Sequence, residues 1–528
     1  MMRIIRPRAV LALIVVCGML ASCGEKGAPE RSNHPGTLRI AMTASDIPSL
    51  DTTLAGNQGY EGNRFVGNQL YDGLTRYDLD QSTSTPRVVP ALAQSWELSP
   101  TGTEWIFHLR PGVTFTDGTP FDADAVIFNL DRYMNPAAPQ FNTAASGRAA
   151  LSLSGVRSYR RIDDRTVAIE TKGVYSHLPE DMVFVYMASP AAVTRWGSEF
   201  GAHPVGTGPF VYSSMQRGQR LTLRANPHYW RGAPKLRELV LLPVPDASAR
   251  LAAVRSGSVD WAEAPNPDDI DWLRGHGYQV LTNAYDHVWP WIFDVTKKPL
   301  DDVRVRRALN YAIDRRAIAT HLLAGTADTA EQVAPRASLA YRPDDDLYGY
   351  DPEKARQLLA QAGYPRGFDM TVSYPTSGSG NMQPGSMNQA MQADLAAVGV
   401  RVRLKPIEWA AMLTAFSGGS IPDHADAINI SLTFIQEAFW GLLFGTGSPT
   451  NIGHYSNPRV DDLITRSTAT IDPATRNSLY GQISAQVTAD AAWLTAFNDR
   501  NPRVLAPDVH GFVQPKSWFL DLVPVSVD

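Results

Sequence analysis

Two cysteines in 528 residues leave almost nothing for a disulfide framework. Cys17 lies inside an apolar N-terminal run and Cys23 just beyond it, so removal of that run would leave a single thiol. The 11 histidines are scattered, with no pair at metal-ligand helix spacing and no cysteine beside them, and no metal or other cofactor is expected. There is no Walker-type G-x-x-x-x-G-K-S/T and no G-x-S-x-G nucleophile elbow. Gly206-Thr207-Gly208 opens like a dinucleotide fingerprint, but Pro209-Phe210 follows where a helix would have to begin. A net charge of −5 without a basic stripe argues against a nucleic-acid partner. Beyond the N-terminus, no segment reaches the ~20 apolar residues of a membrane-spanning helix. Paired acids such as Asp301-Asp302 and Asp461-Asp462 fall where helices begin, and capping accounts for them better than acid–base chemistry.

What is present is ordinary globular material, 44% hydrophobic and 19% charged. The length exceeds the ~250–300 residues at which one core stops growing, so two or three lobes are expected. The 12 Trp and 19 Tyr fill cores for the most part, with some left to line a ligand site. At the N-terminus Arg3, Arg6 and Arg8 precede an apolar run from Val10 to Leu20. That run is too short to span a bilayer and fits a signal peptide. Leu20-Ala21-Ser22-Cys23 then resembles a bacterial lipobox, in which the cysteine thiol takes a diacylglycerol. The expectation is a removed signal peptide over 1–22, with a lipidated Cys23 and a flexible Gly/Pro-rich tether over 23–36. The body would then be exported and held by lipid at the outer face of the cytoplasmic membrane or in the periplasm.

Short strands and bounded helices alternate throughout, which predicts an α/β architecture. Thr37 to Met42 reads as the first strand. Trp105, Phe107 and Leu109 recur with period 2, Asp117-Gly118 signals a turn, and Asp122 can cap a helix that buries Val126, Leu130 and Tyr133. Near 351, Asp351 is an N-cap, Pro352 suits the first helical position, Ala355, Leu358, Leu359 and Ala362 form a stripe, and Gly363 ends it. A helix from about Asn388 to Val398, then Gly399, then a strand from Val400 to Lys405 makes a crossover unit. Asp301 to Ile313 reads as a helix with its arginines outward.

Several ordered stretches carry a resemblance. They are Pro90 to Ser99; Trp105 to Arg110 running on through Pro111-Gly112-Val113-Thr114-Phe115-Thr116-Asp117-Gly118-Thr119-Pro120-Phe121; Val205 to Phe210 with Asn226-Pro227-His228-Tyr229-Trp230; Asp301 to Leu309; Tyr350 to Ala355; and Tyr455-Ser456-Asn457-Pro458. Together they resemble the bacterial extracellular solute-binding proteins of family 5, which serve peptide, nickel and related ABC importers. The resemblance implies a periplasmic-binding-protein-like α/β fold, two large mixed lobes joined by a hinge with a third lobe inserted. Carried onto this chain it implies lobe I over 37–74, 191–288 and 496–528, the inserted lobe II over 75–190, and lobe III over 289–495. It further implies a non-enzyme, monomeric, that captures a small solute between the large lobes and delivers it to ABC permease and ATPase subunits.

Family members that bind peptides carry, by this resemblance, an Asp that pairs with the peptide amine, where this chain reads Asn429 to Glu437 and places Thr433. A hydroxyl cannot replace a carboxylate opposite a buried ammonium. Either Glu437 substitutes, or the solute has no free amine there. Trp289, Trp291, Tyr374, Trp409, Phe434 and Trp440 are the other candidate ligand contacts, Trp289 and Trp291 because two indoles around Pro290 make a rigid apolar wall. A short peptide or peptide-like compound is the expected solute; a metal chelate, sugar or secondary metabolite is the alternative, and a surface hydrolase the remote one.

Overall fold

The computed structural model describes residues 34–52, 59–378, 380, 383–434, 439–500 and 502–528. Cys23 and Glu437 lie outside them. Three sheets organise the chain. The first has seven strands in the order Gln279–Leu281, Arg503–Leu505, Trp261–Glu263, Thr37–Met42, Glu238–Pro243, Arg220–Ala225 and Phe210–Gln216. Its centre is parallel: Thr37–Met42 pairs in parallel with Glu238–Pro243 and with Trp261–Glu263. Leu38, Ile40, Leu239, Leu241 and Trp261 are fully enclosed in its core.

The second sheet is antiparallel, in the order Ala93–Leu98, Glu104–Leu109, Thr166–Thr171 and Val156–Asp163. Strand Glu104–Leu109 alternates half-buried and buried residues, as its period-2 pattern predicts. Helix Ala123–Met134 packs on this sheet, and the Asp122 side chain accepts from the Ala125 amide, as expected of a cap.

The third sheet runs Arg401–Ile407, Asp369–Pro375, Ala427–Asn429, Trp291–Phe293 and Trp493–Leu494. Helices Val303–Tyr311, Pro352–Gln361 and Pro384–Ala397 bury their apolar stripes against it. The Asp351 carboxylate accepts from the Lys354 amide and Gly363 takes φ +93°, so this helix begins and ends on the expected residues. The following helix starts at Pro384, four residues before the expected Asn388, because Pro384 takes the first turn despite the Gly385 beside it.

One expectation is corrected. The arginines of helix Val303–Tyr311 do not all face water. Arg306 is 7% exposed and donates to the carbonyls of Leu300, Ala491 and Asp490. A guanidinium has five donors in a fixed fork, so loose carbonyls at an element's end can hold it inside. Hydrophobic periodicity is blind to that.

A small fourth sheet sits where the bodies meet, in the order Ala327–Thr329, Phe497–Asp499, His287–Val288 and Leu432–Thr433. The chain leaves the seven-stranded sheet after Leu281 and returns to it at Arg503, so it crosses between the large bodies within 282–286 and again between Asp499 and Arg503. No described helix is long and apolar enough to cross a membrane.

Candidate functional site

The large bodies face each other beside the two crossings, and aromatic rings fill the junction. Tyr60 packs against the cores of both bodies, with ring centroids 6.0 Å from Phe184, 5.8 Å from Phe519 and 6.3 Å from Phe439. Nearby, a groove of about 680 Å³ is walled by Asp46, Leu50, Met215 and Arg217 on one side and by Ala410 and Thr414 on the other. The second wall belongs to helix Trp409–Ser417, so the groove lies between bodies.

Trp409 opens that helix and is 5% exposed. Its ring lies between two glycines from opposite bodies. A Cβ on Gly378 would come 2.3 Å from its Cγ, and one on Gly59 would come 3.4 Å from its Cζ2. The indole Nε1 is enclosed and has no hydrogen-bond partner among the described residues. An indole N–H in such a place is a donor held ready for an acceptor.

The other expected residues fall into two groups. Trp289 and Trp291 are buried in the core of the five-stranded sheet. Their N–H groups are engaged, Trp289 with the Gly380 carbonyl at 2.5 Å and Trp291 with Asn388 Oδ1 at 2.6 Å. Thr433, Phe434 and Trp440 sit together with Trp409 near a separate core. Thr433 registers with His287 and donates its hydroxyl to the Asp286 carbonyl at 3.0 Å. The Phe434 ring lies 4.7 Å from Trp440, whose indole stacks on Tyr480 at 6.0 Å. Tyr374 is half-buried on strand Asp369–Pro375.

Composition and periodicity did not reveal the ionic core behind the junction. Arg64, fully buried, lies 2.8 Å from Glu263, and Arg503 lies 3.3 Å from the other oxygen of the same carboxylate. Trp261 Nε1 also donates to Glu263, at 2.6 Å. Burial alone would push the Glu263 carboxyl up, but Arg64 and Arg503 outweigh it and hold the group below its ordinary range. Glu61, fed by the Thr43 amide and hydroxyl, is pushed up by burial despite Arg64. The Trp518 ring carries the Arg64 guanidinium 4.2 Å from its centroid and the His287 ring stacked 5.3 Å away. His287 Nδ1 lies 3.0 Å from Asp499 Oδ2, and a Cβ on Gly380 would strike the imidazole at 2.4 Å. These partners come from stretches of chain as far apart as Thr43 and Trp518, so no sequence spacing could show them. Among the described residues, no three His, Cys, Asp or Glu are grouped to hold a metal.

The chain has relatives along its whole length. Residues 87–437 match the family model described as bacterial extracellular solute-binding proteins, family 5 Middle. Heme-binding protein A of Haemophilus influenzae is 29% identical, with 99% of each chain covered. The glutathione-binding protein GsiB of Pectobacterium atrosepticum is 30% identical, covering 98% of this chain and 97% of its own. Among solved structures, the periplasmic binding protein DppA of Helicobacter pylori, in complex with the peptide STSA, superposes with a TM-score of 0.81 at 24% identity, over 93% of this chain and 98% of that one.

Proposed function

The chain belongs to the bacterial extracellular solute-binding proteins of family 5, the binding components of ABC importers, and from that premise we propose that its solute is a short peptide or peptide-like compound held at the Tyr60–Trp409 junction. It is an exported binding protein with a periplasmic-binding-protein-like α/β fold, and not an enzyme. The finer reading divides it into lobes at the boundaries given above, anchors it through lipid on Cys23, and has it act as a monomer.

The observation that carries the solute reading is the unengaged indole N–H of Trp409 between glycines of opposite bodies, beside the Tyr60 rings. Rings give a flat apolar wall, and an N–H offers one donor to a carbonyl or carboxylate, as a peptide presents. Thr433 brings no charge, and its hydroxyl is turned to Asp286. That favours solutes whose amine is not the main anchor. Glutathione, with its side-chain-linked first residue, is such a compound and is what one 30% identical relative is named for.

Thermal shift against dipeptides, glutathione, sugars and metal chelates tests this. A ligand at a hundred times its Kd stabilises by ~2.7 kcal/mol, so the binding class stands out as a raised Tm. Stabilisation by peptides or glutathione, weakened in Trp409→Phe, is expected. Stabilisation by sugars or chelates alone would overturn the peptide assignment.

A further inference from the structure

Asp286 is a buried acid at the end of the first crossing. It is 8% exposed, and its Oδ1 is enclosed without a hydrogen-bond partner among the described residues. Its backbone is well tied down, the carbonyl accepting from the Thr433 hydroxyl at 3.0 Å and the Phe434 amide at 2.9 Å. The carboxyl is not. Burial alone acts on it and pushes it up to about 7.

The two crossings run side by side. The Tyr285 amide donates to the Asp499 carbonyl at 3.1 Å, and Val288 registers with Asn498. Arg500 is turned to Asp328, 3.2 Å away, and its Nε is buried without a partner among the described residues. The remaining charged groups around Asp286 are committed elsewhere: His287 to Asp499, and Arg503 to Glu263 and Gln514. Strand Leu432–Thr433 contributes no ionisable side chain. An acceptor on one crossing and a donor on the other are thus both unspent, at the place where a hinge must bend.

We propose that Asp286 links lobe closure to a proton: the closed hinge holds it as the neutral acid, and opening lets water reach it so that its proton leaves. This rests on the closing motion that goes with the proposed function. The closed form binds the proton more tightly, so acid favours closure. Opening gains as pH rises from the ordinary aspartate range, about 4, to about 7, by up to about tenfold per pH unit. Below that window both forms are protonated and above it both are ionised, so the equilibrium levels off. A solute would be gripped in acid and surrendered more readily toward neutrality.

The test is an inter-lobe distance distribution on the solute-free full chain, from about pH 4 to pH 8. Ketone-bearing label sites at Asp271 and Glu353, both exposed, leave Cys17 and Cys23 unchanged. The wild type should open progressively up to about pH 7 and then level. Asp286→Asn should show no such slope and stay as closed at high pH as the wild type in acid. Equal slopes in both proteins, or a level wild type whose lobes do open, overturn the proton link while leaving solute binding intact. A single distance at every pH, with and without any stabilising solute, overturns the closing motion as well. Should the variant not fold, infrared titration of the wild type beside Asp286→Glu decides: a protonated-carboxyl band that persists to about pH 7 and changes frequency in Asp286→Glu is expected, and a wild type without such a band, or a band identical in both proteins, overturns the inference.

Discussion

At the scale of single residues, the chain stores charge inside rather than avoiding it. Arg64, Glu263 and Arg503 are each almost fully enclosed. Removing one partner of such a set strands the others, which costs about 3–5 kcal/mol. Glu263→Gln should therefore lower unfolding free energy by about that amount in a denaturant titration at neutral pH. Its folded pKa is depressed, so the carboxylate's contribution is complete at neutral pH and is lost as pH falls through the folded value. The penalty of Glu263→Gln should shrink in acid, and a penalty independent of pH would contradict the pairing. Arg306 works in the same way without an acid, since carbonyls alone satisfy it.

At the scale of elements, the informative comparison is between two glycines with positive φ. Gly363 ends a helix at φ +93°, and nothing lies within 4 Å of where its Cβ would be. Gly380 has φ +75°, but its Cβ would strike the His287 ring at 2.4 Å. Alanine at 363 pays only for the backbone, about 1–2 kcal/mol. Alanine at 380 must also move a ring wedged between Trp518 and Asp499, which adds about 1–3 kcal/mol. Thermal melts of Gly363→Ala and Gly380→Ala should therefore separate, with the second lower. Equal melting temperatures would show that the His287 ring yields freely. Both glycines stand in the sequence as loop residues, and only one of them guards a contact between distant strands.

At the scale of the whole molecule, direct bonds join the bodies to one another. Gln383, before helix Pro384–Ala397, donates to Asn266 of the opposite large body at 2.9 Å. The Ser176 amide donates to the Thr468 carbonyl at 3.0 Å, and Arg476 lies 3.7 Å from Glu180, joining the antiparallel-sheet body to the helices 458–489. A net hydrogen bond is worth about 1 kcal/mol, or roughly a fivefold shift in an equilibrium. Gln383→Ala should favour the open form by about that factor, seen as a larger radius of gyration in solution scattering without solute and a faster solute off-rate. An unchanged off-rate would mean that the aromatic junction alone sets closure.

The order of elements was legible in the sequence because the rules that write it are local. A cap such as Asp351, a terminator such as Gly363 and the period-2 strand at 104–109 each act within a few residues. The family was legible for a related reason: its motifs are mainly turns and core positions fixed by local geometry. Trp409 could be nominated from sequence, but its enclosure between Gly59 and Gly378 could not, because those glycines arrive from separate bodies. Asp286, His287, Arg64, Glu263 and Arg503 carried no sequence signal at all. Their burial and pairing arise when strands hundreds of residues apart close against one another, and charge neutralisation at such distances is a property of the packed chain alone.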